Sequence, residues 1–212
     1  LAVVGATKYE GFRTYNRATQ MPMAPGSTIK PLSVYTPALE AGYAVDAEVM
    51  DDDSLTYGDD AYSVSNYDRN SLYDTLPMYQ AIAESKNTSA VWLLDKLGIQ
   101  RGISKLEDFG ISIGEADENL GAIALGGMSK GVTPVQLASA YTTFVNEGVR
   151  TQARFITKIV DATGAVIVDN TKPKTNRVTT AAVAEEMTSM LMGVYADGGT
   201  GASAQPSNGM VI

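Results

Sequence analysis

Strand-like and helical patterns follow one another in an order that restricts the possible folds. Strand-like runs open the chain at 1–6 and close it at 210–212, and a hairpin pattern spans 155–169 around Thr163-Gly164. Between them, start and stop signals predict helices at about 27–40, 75–84, 88–97, 101–109, 134–147 and 183–194. The order predicts an α/β (α+β) domain in which helices cover a sheet, with an all-helical lobe at about 43–130.

Two of these helices have distinct start signals. Pro25-Gly26 interrupts the chain before Ser27, which can cap a helix running to about Glu40. Gly42 is its stop signal, and Pro37 is expected to bend it. Thr133-Pro134-Val-Gln136 combines a capping threonine, a first-turn proline and the glutamine of a capping box. The second signal predicts a helix that stops at Gly148.

Residues 43–74 are rich in Asp, Ser, Asn and Tyr, which predicts a long and mostly irregular excursion over the surface. Asp51-Asp52-Asp53 is interpreted as a solvated turn. A metal site would need further spaced oxygen ligands and a glycine in the loop, and these do not follow. We therefore predict no metal ion and no cofactor.

The chain has 212 residues, no cysteine and no histidine, and a net charge of −8. This length suits one domain. The two missing residue types exclude a cysteine nucleophile, a Ser-His-Asp triad and ordinary zinc sites. A catalytic base must therefore be a Lys, Asp, Glu or Tyr side chain or a chain terminus. No basic stripe is available to bind a phosphate backbone, and nucleic acid is not an expected partner.

Ser27 and Lys30 form the first candidate pair. Positions i and i+3 share a helix face, so the hydroxyl and the amine can approach each other. Lysine can activate a serine only if burial or positive charge lowers its pKa towards neutrality. The alternative from the residues alone is that Ser27 is a helix cap and Lys30 a solvated first-turn residue.

Ser85 and Asn87 form the second candidate pair, two residues apart on a predicted turn. Ser85 could relay a proton to a leaving amine, and Asn87 could hold the Lys30 amine and a substrate amide. The alternative is ordinary capping of the next helix by Asn87 or Thr88.

Four segments, in this order, resemble the transpeptidase domains of penicillin-binding proteins. They are Tyr15-Asn-Arg-Ala-Thr-Gln20, Ala24-Pro-Gly-Ser-Thr-Ile-Lys-Pro-Leu32, Ala83-Glu-Ser-Lys-Asn-Thr-Ser-Ala-Val91, and Leu125-Gly-Gly127 followed by Gly131-Val-Thr-Pro-Val-Gln-Leu-Ala-Ser-Ala-Tyr141. The resemblance spans nearly the whole chain, and the Ser-Thr-Ile-Lys-Pro-Leu segment is most similar to the bifunctional, class A branch.

The resemblance implies a five-stranded antiparallel sheet sandwiched by helices, with the active site between this sheet and the helical lobe. Ser27 then matches the acylated nucleophile, Lys30 its base, and Ser85 with Asn87 the second motif. The implied activity is D,D-transpeptidation of peptidoglycan stem peptides, with β-lactam antibiotics as acylating mimics of the donor. A D,D-carboxypeptidase, a β-lactam sensor and a non-catalytic scaffold remain alternatives. A class A β-lactamase would need Glu-x-x-Leu-Asn, which Glu115 and Glu118 do not provide.

One departure concerns the third motif of the family, Lys-Thr-Gly or Lys-Ser-Gly on a strand that lines the cleft, which does not occur up to Ile212. We therefore expect residues 1–212 to form a single incomplete domain whose final strands exist as a separate piece or were removed, with the cut in or near the loop from Gly198 to Gly209. The missing N-terminal and C-terminal portions are expected partners of this chain. The resemblance also implies a location at the extracytoplasmic face of the bacterial membrane, with an anchor outside this chain.

Overall fold

The computed structural model describes residues 14–204 together with Val4, Lys8 and Gly11. The α-helices in this part of the chain are α1 (Arg17–Gln20), α2 (Thr36–Glu40), α3 (Met78–Ala83), α4 (Asn87–Leu97), α5 (Ile99–Asp108), α6 (Leu120–Leu125), α7 (Pro134–Tyr141) and α8 (Ala181–Met192). The strands are β1 (Glu48–Asp51), β2 (Thr56–Tyr57), β3 (Tyr62–Ser63), β4 (Asp74–Pro77), β5 (Val149–Thr151), β6 (Lys158–Val160), β7 (Val166–Asp169) and β8 (Thr175–Arg177).

All strand pairs of the described residues are antiparallel, and they join β1 to β4, β2 to β3, β5 to β8 and β6 to β7. The predicted hairpin is confirmed, because β6 and β7 flank a turn in which Asp161 accepts hydrogen bonds from Thr163 and Ala165. The strands predicted at 1–6 and 210–212 lie outside the described residues.

The predicted all-helical lobe needs a correction, since β1 to β4 all fall between residues 43 and 130. The lobe is mainly helical and carries two short strand pairs. In β1 the inward positions are Val49 and Asp51, which are 1% and 0% exposed. A buried aspartate breaks the apolar alternation by which a strand is identified from sequence.

The helices predicted around the lobe are confirmed as α3, α4 and α5. The capping box of Thr133 and Gln136 is present at the start of α7. This helix ends at Tyr141, earlier than predicted, and a 3₁₀ turn over Phe144–Asn146 follows before Gly148. The amphipathic pattern at 183–194 corresponds to α8, whose Met187 and Met190 are buried in the core.

The predicted helix at 27–40 forms as three consecutive pieces with different hydrogen-bond spacing. A 3₁₀ turn covers Gly26–Ile29, a π-helical turn covers Pro31–Tyr35, and α2 follows. Prolines lack the N–H of a regular helix, so Pro31 and Pro37 interrupt the i to i−4 ladder. The backbone N–H of Thr36 instead donates to Pro31 O, five residues earlier.

The irregular helical segment at 27–40 packs into the hydrophobic core. Its largest fully buried apolar side chains include Tyr35, Ile29, Leu32, Leu93, Leu94 and Ile123. Gly102 of α5 packs so closely that an added Cβ would lie 2.9 Å from Ser33 O and 2.8 Å from an Ile123 methyl carbon. The segment that carries Ser27 and Lys30 is therefore held by a tightly packed scaffold. In the part of the chain that the structure describes, no helix has the length and apolar character needed to cross a membrane.

Candidate active site

Ser27 lies in the 3₁₀ turn at the mouth of a cleft, and its side chain is exposed. Two hydrogen bonds with other segments of the chain hold this turn in place. Gly26 N donates to Gly126 O at 3.3 Å, and the Tyr141 hydroxyl donates to Thr28 O at 2.7 Å. Gly126 has a φ of +74°, and a Cβ there would lie 2.3 Å from Gly26 O, so the loop tolerates only glycine at this position.

Lys30 is buried, with 2% of its surface exposed, and its amine points to the second motif. Nζ donates to Ser85 O at 2.7 Å, to Asn87 Oδ1 at 2.7 Å and to Ser85 Oγ at 3.2 Å. The four candidate residues predicted from the sequence are therefore brought to one place. Within residues 14–204, no hydrogen bond joins Lys30 to Ser27 Oγ, although both residues line the same cleft.

Burial lowers the pKa of Lys30 from its ordinary value of 10.5 to about 7. The acceptors around Nζ are a carbonyl, a hydroxyl and an amide oxygen, none of which carries a formal charge that would favour the ammonium form. Near pH 7 the ammonium, which donates to all three acceptors, is therefore in equilibrium with a neutral amine that can accept a proton. The sequence-based alternative of a solvated lysine is wrong.

Ser85 closes the C-terminus of α3 with a φ of +55°, in the left-handed region. This conformation is uncommon for residues other than glycine, and glycine is usual at such helix ends. It directs both the carbonyl and the hydroxyl of Ser85 to Lys30. A serine at this strained position keeps a hydroxyl that glycine would lack.

Asn87 begins α4 and uses both ends of its amide. Oδ1 accepts from Lys30, while Nδ2 donates to Ser65 O at 3.1 Å. The helix start is capped from outside, because Asn66 Oδ1 accepts from the backbone N–H of Asn87 at 2.7 Å and of Thr88 at 3.2 Å. The prediction that Asn87 or Thr88 itself caps α4 is therefore wrong.

Asp51 is not part of a solvated turn, and this interpretation also needs correction. Its side chain is fully buried and accepts hydrogen bonds from Asn66 Nδ2 at 2.6 Å and from the Thr88 hydroxyl. Lys86 Nζ lies 3.5 Å from its other oxygen. Its partners are N–H and O–H donors and an ammonium, which is the environment of a structural carboxylate. Asp53, two residues on, is exposed as predicted.

The cleft in front of Ser27 has a volume of about 540 Å³, in the range of small-ligand sites. One wall is polar and contains Ser27, Lys30 and Ser85. The other walls are largely apolar and come from α3, α7, α8 and the turn after α8, through Ile82, Pro134, Leu137, Tyr141, Leu191, Val194 and Tyr195. Three residues that support the site are not predicted from the sequence: Asp51, Asn66 and Tyr141. Their role depends on contacts between segments that are distant in sequence, and no local sequence pattern indicates it.

Comparison with known proteins identifies the family of this chain. Residues 1–211 match the family described as "Penicillin binding protein transpeptidase domain". The chain is 42% identical over 198 residues to penicillin-binding protein 2a of Streptococcus pneumoniae, and 41% identical over 198 residues to penicillin-binding protein 1F of Bacillus subtilis. Each alignment covers 93% of this chain and 26% of the relative, so the chain spans about a quarter of their length.

Among solved structures, penicillin-binding protein A of M. tuberculosis, described as an imipenem acyl-enzyme complex, is similar with a TM-score of 0.77. The likeness covers 91% of this chain and 48% of that chain, at 21% sequence identity, and it establishes the shared fold. The fold class predicted from the sequence is confirmed. The five-stranded sheet that the resemblance implies is not seen within residues 14–204, whose strands form four two-stranded antiparallel pairs.

Proposed function

The chain belongs to the penicillin-binding protein transpeptidase family, and from this membership we propose that it is the acyl-transfer part of a D,D-transpeptidase. Its donor substrate is a peptidoglycan stem peptide that ends in D-alanyl-D-alanine. β-Lactams acylate the same serine because their ring amide occupies the place of the scissile peptide bond. The proposal extends to the roles of Ser27, Lys30, Ser85 and Asn87.

The observation that carries the proposal is the buried Lys30 amine, held 2.7 Å from Asn87 Oδ1 and from Ser85 O. A serine hydroxyl is a weak nucleophile until a base removes its proton. With its pKa lowered to about 7 by burial, Lys30 can act as this base near neutral pH. Ser27 is exposed at the cleft mouth, where a substrate carbonyl can reach it.

The proposed reaction has two steps, acylation of Ser27 and transfer of the acyl group to an amine. Ser27 Oγ bonds to the carbonyl carbon between the two D-alanines as its proton passes to Lys30. The carbon–nitrogen bond then breaks, and the leaving amine of the last D-alanine takes up a proton that Ser85 Oγ relays from Lys30 Nζ, 3.2 Å away. An amine from a second stem peptide attacks the ester carbonyl and gives its proton to Lys30, which passes a proton to Ser27 Oγ as the ester carbon–oxygen bond breaks, so that one peptide bond replaces another.

The chain contains no Lys-Thr-Gly or Lys-Ser-Gly up to Ile212 and spans about a quarter of the length of its curated relatives. We propose that another part of a longer protein supplies this third motif, including the clamp for the substrate carboxylate and one oxyanion N–H. A further part is proposed to anchor the protein at the extracytoplasmic face of the membrane. Residues 1–212 would then form one incomplete domain.

Fluorescent penicillin labelling of the full-length protein tests the proposal. We expect labelling of the parent protein, a mass increase on the peptide that contains Ser27, and loss of both in Ser27→Ala. Ser104→Ala, which removes an exposed hydroxyl on α5, is the matched control and is expected to label normally. Label that persists on Ser27→Ala contradicts the proposal.

A second assay separates a transferase from a hydrolase of the same fold. The full-length protein is incubated with a stem peptide and a labelled D-amino acid. Exchange of the labelled amino acid into the peptide supports transpeptidation. Release of D-alanine without exchange would instead identify a D,D-carboxypeptidase.

A further inference from the structure

A buried polar network contacts the second motif, and its residues are not among those that line the cleft. It is formed by Asp51 at the end of β1, Asn66 in the loop before β4, and Thr88 and Lys86 at the start of α4. Asp51 is 0%, Thr88 1%, Lys86 3% and Asn66 6% exposed. Buried polar groups are retained only where their hydrogen bonds are satisfied, and a satisfied network makes the local structure rigid.

Asn66 occupies the centre of this network and satisfies both ends of its amide. Oδ1 accepts from the backbone N–H groups of Asn87 and Thr88, while Nδ2 donates to Asp51 Oδ1 at 2.6 Å. The aspartate can only accept at this distance, so it determines which end of the Asn66 amide faces α4. Asp51 therefore orients Asn66, and Asn66 in turn holds the first residues of α4.

The loop at 65–66 binds Asn87 at two points. Asn66 Oδ1 accepts from its backbone N–H, and Ser65 O accepts from its Nδ2 at 3.1 Å. With Nδ2 bound on this side, only Oδ1 of the amide is left to face Lys30. The loop at 65–66 thus determines both where Asn87 begins the helix and which atom it presents to the amine. Movement of this loop would change the 2.7 Å contact between Asn87 and Lys30 without touching either side chain.

We propose that Asn66 is a positioning residue for acyl transfer, which acts through Asn87 on the Lys30 amine and is itself oriented by Asp51. This inference rests on the proposed function of Lys30 and Asn87. A helix cap with a purely structural role would contribute to stability alone, whereas a positioning residue also changes the acylation rate, and only when Asn87 is present to transmit the effect.

A double-mutant cycle in the full-length protein tests the inference. Asn66→Ala, Asn87→Ala and the double variant are compared by the second-order rate of acylation with fluorescent penicillin. We expect each single change to slow acylation by at least about tenfold, and the double variant to match Asn87→Ala within about twofold. Multiplied losses in the double variant, or a normal rate in Asn66→Ala, would overturn the inference.

Thr180→Ala is the matched control, because Thr180 caps α8 by accepting from Val183 N and lies outside the network. It is expected to lower the melting temperature as Asn66→Ala does, while its acylation rate stays within about twofold of the parent. If Asn66→Ala does not fold, Asn66→Ser takes its place in the cycle, because a hydroxyl still accepts from the helix N–H groups. The same criterion of additive or non-additive losses applies.

The two possible failures give different results. If the acylation proposed for Ser27 is wrong, the parent protein takes up no label or label remains on Ser27→Ala, whatever residue stands at position 66. If only the present inference is wrong, labelling depends on Ser27 while the rate is unaffected by Asn66→Ala or falls by the same factor with and without Asn87.

Discussion

The Nζ atom of Lys30 lies 2.7 Å from Oδ1 of Asn87, across 57 positions of sequence. This hydrogen bond joins the irregular helical segment that carries Ser27 to the first turn of α4. It places a buried amine among neutral acceptors, and burial lowers its pKa. The reactivity proposed for Ser27 therefore depends on Asn87, which itself donates hydrogen bonds to Ser65 and Asn66 of the loop before β4.

Burial of Lys30 makes stability depend on pH. Its pKa is about 7 in the folded chain, and an unfolded chain leaves lysine near its ordinary value of 10.5. Between these values the unfolded state binds more protons, so the free energy of unfolding rises with pH, by at most about 1.4 kcal/mol per unit. Lys30→Met is expected to remove this contribution. Urea unfolding of both proteins across the window measures the difference, and parallel curves would contradict the expectation.

Substitutions of Ser85 separate backbone strain from hydroxyl chemistry. Ser85 has a φ of +55°, which glycine adopts at little cost and alanine does not. Ser85→Gly is expected to be more stable than Ser85→Ala by about 1 kcal/mol. Because both lack the hydroxyl near Lys30, both should acylate slowly. Thermal unfolding and penicillin labelling provide the two measurements, and a fast Ser85→Gly variant would exclude a role for the hydroxyl.

Removal of Asp51 is expected to destabilise the protein strongly. Asp51→Ala leaves the Asn66 amide and the Thr88 hydroxyl without their acceptor and removes the fully buried one of the two carboxylates beside Lys86, the other being Glu84 at 3.3 Å. Breaking a buried pair of this kind costs about 3 kcal/mol or more. Asp53→Ala, two residues away and exposed, should change stability by less than about 0.5 kcal/mol. Equal denaturation midpoints for the two variants would show that the network contributes nothing.

The Tyr141 hydroxyl should matter for the turn that carries Ser27. Tyr141→Phe removes the 2.7 Å hydrogen bond to Thr28 O and is expected to cost about 1 kcal/mol and to slow acylation severalfold. Tyr57→Phe is the control, because the buried Tyr57 hydroxyl has no hydrogen-bond partner in the described structure. This control should be neutral or slightly stabilising. A normal acylation rate in Tyr141→Phe would remove Tyr141 from the site.

Much of the fold follows from local signals in the sequence. The capping box at Thr133 and the turn at Thr163-Gly164 each depend on a few adjacent residues, and both form as predicted. The π-helical turn after Lys30 was not predicted. Two prolines reveal that a regular helix is disturbed there, but the hydrogen-bond spacing that replaces it depends on packing against the core.

The candidate site was predicted less completely, because its support is not local. The proximity of Lys30 to Ser85 and Asn87 was expected from the motifs, and the structure confirms it. Asp51 was assigned to a solvated turn because three successive aspartates are typical of solvent-exposed loops. Its burial depends on donors from Asn66, Thr88 and Lys86, which chain folding alone brings together.

The pH dependence of acylation tests most directly whether Lys30 is the base. The rate with fluorescent penicillin is measured for the full-length protein from mildly acidic to mildly basic pH. We expect it to fall as pH drops below about 7, since the amine becomes protonated there, and to be lower by about 100-fold or more in Lys30→Arg, whose guanidinium keeps its proton. A rate that is flat through this range, or a fully active Lys30→Arg, would contradict the assignment.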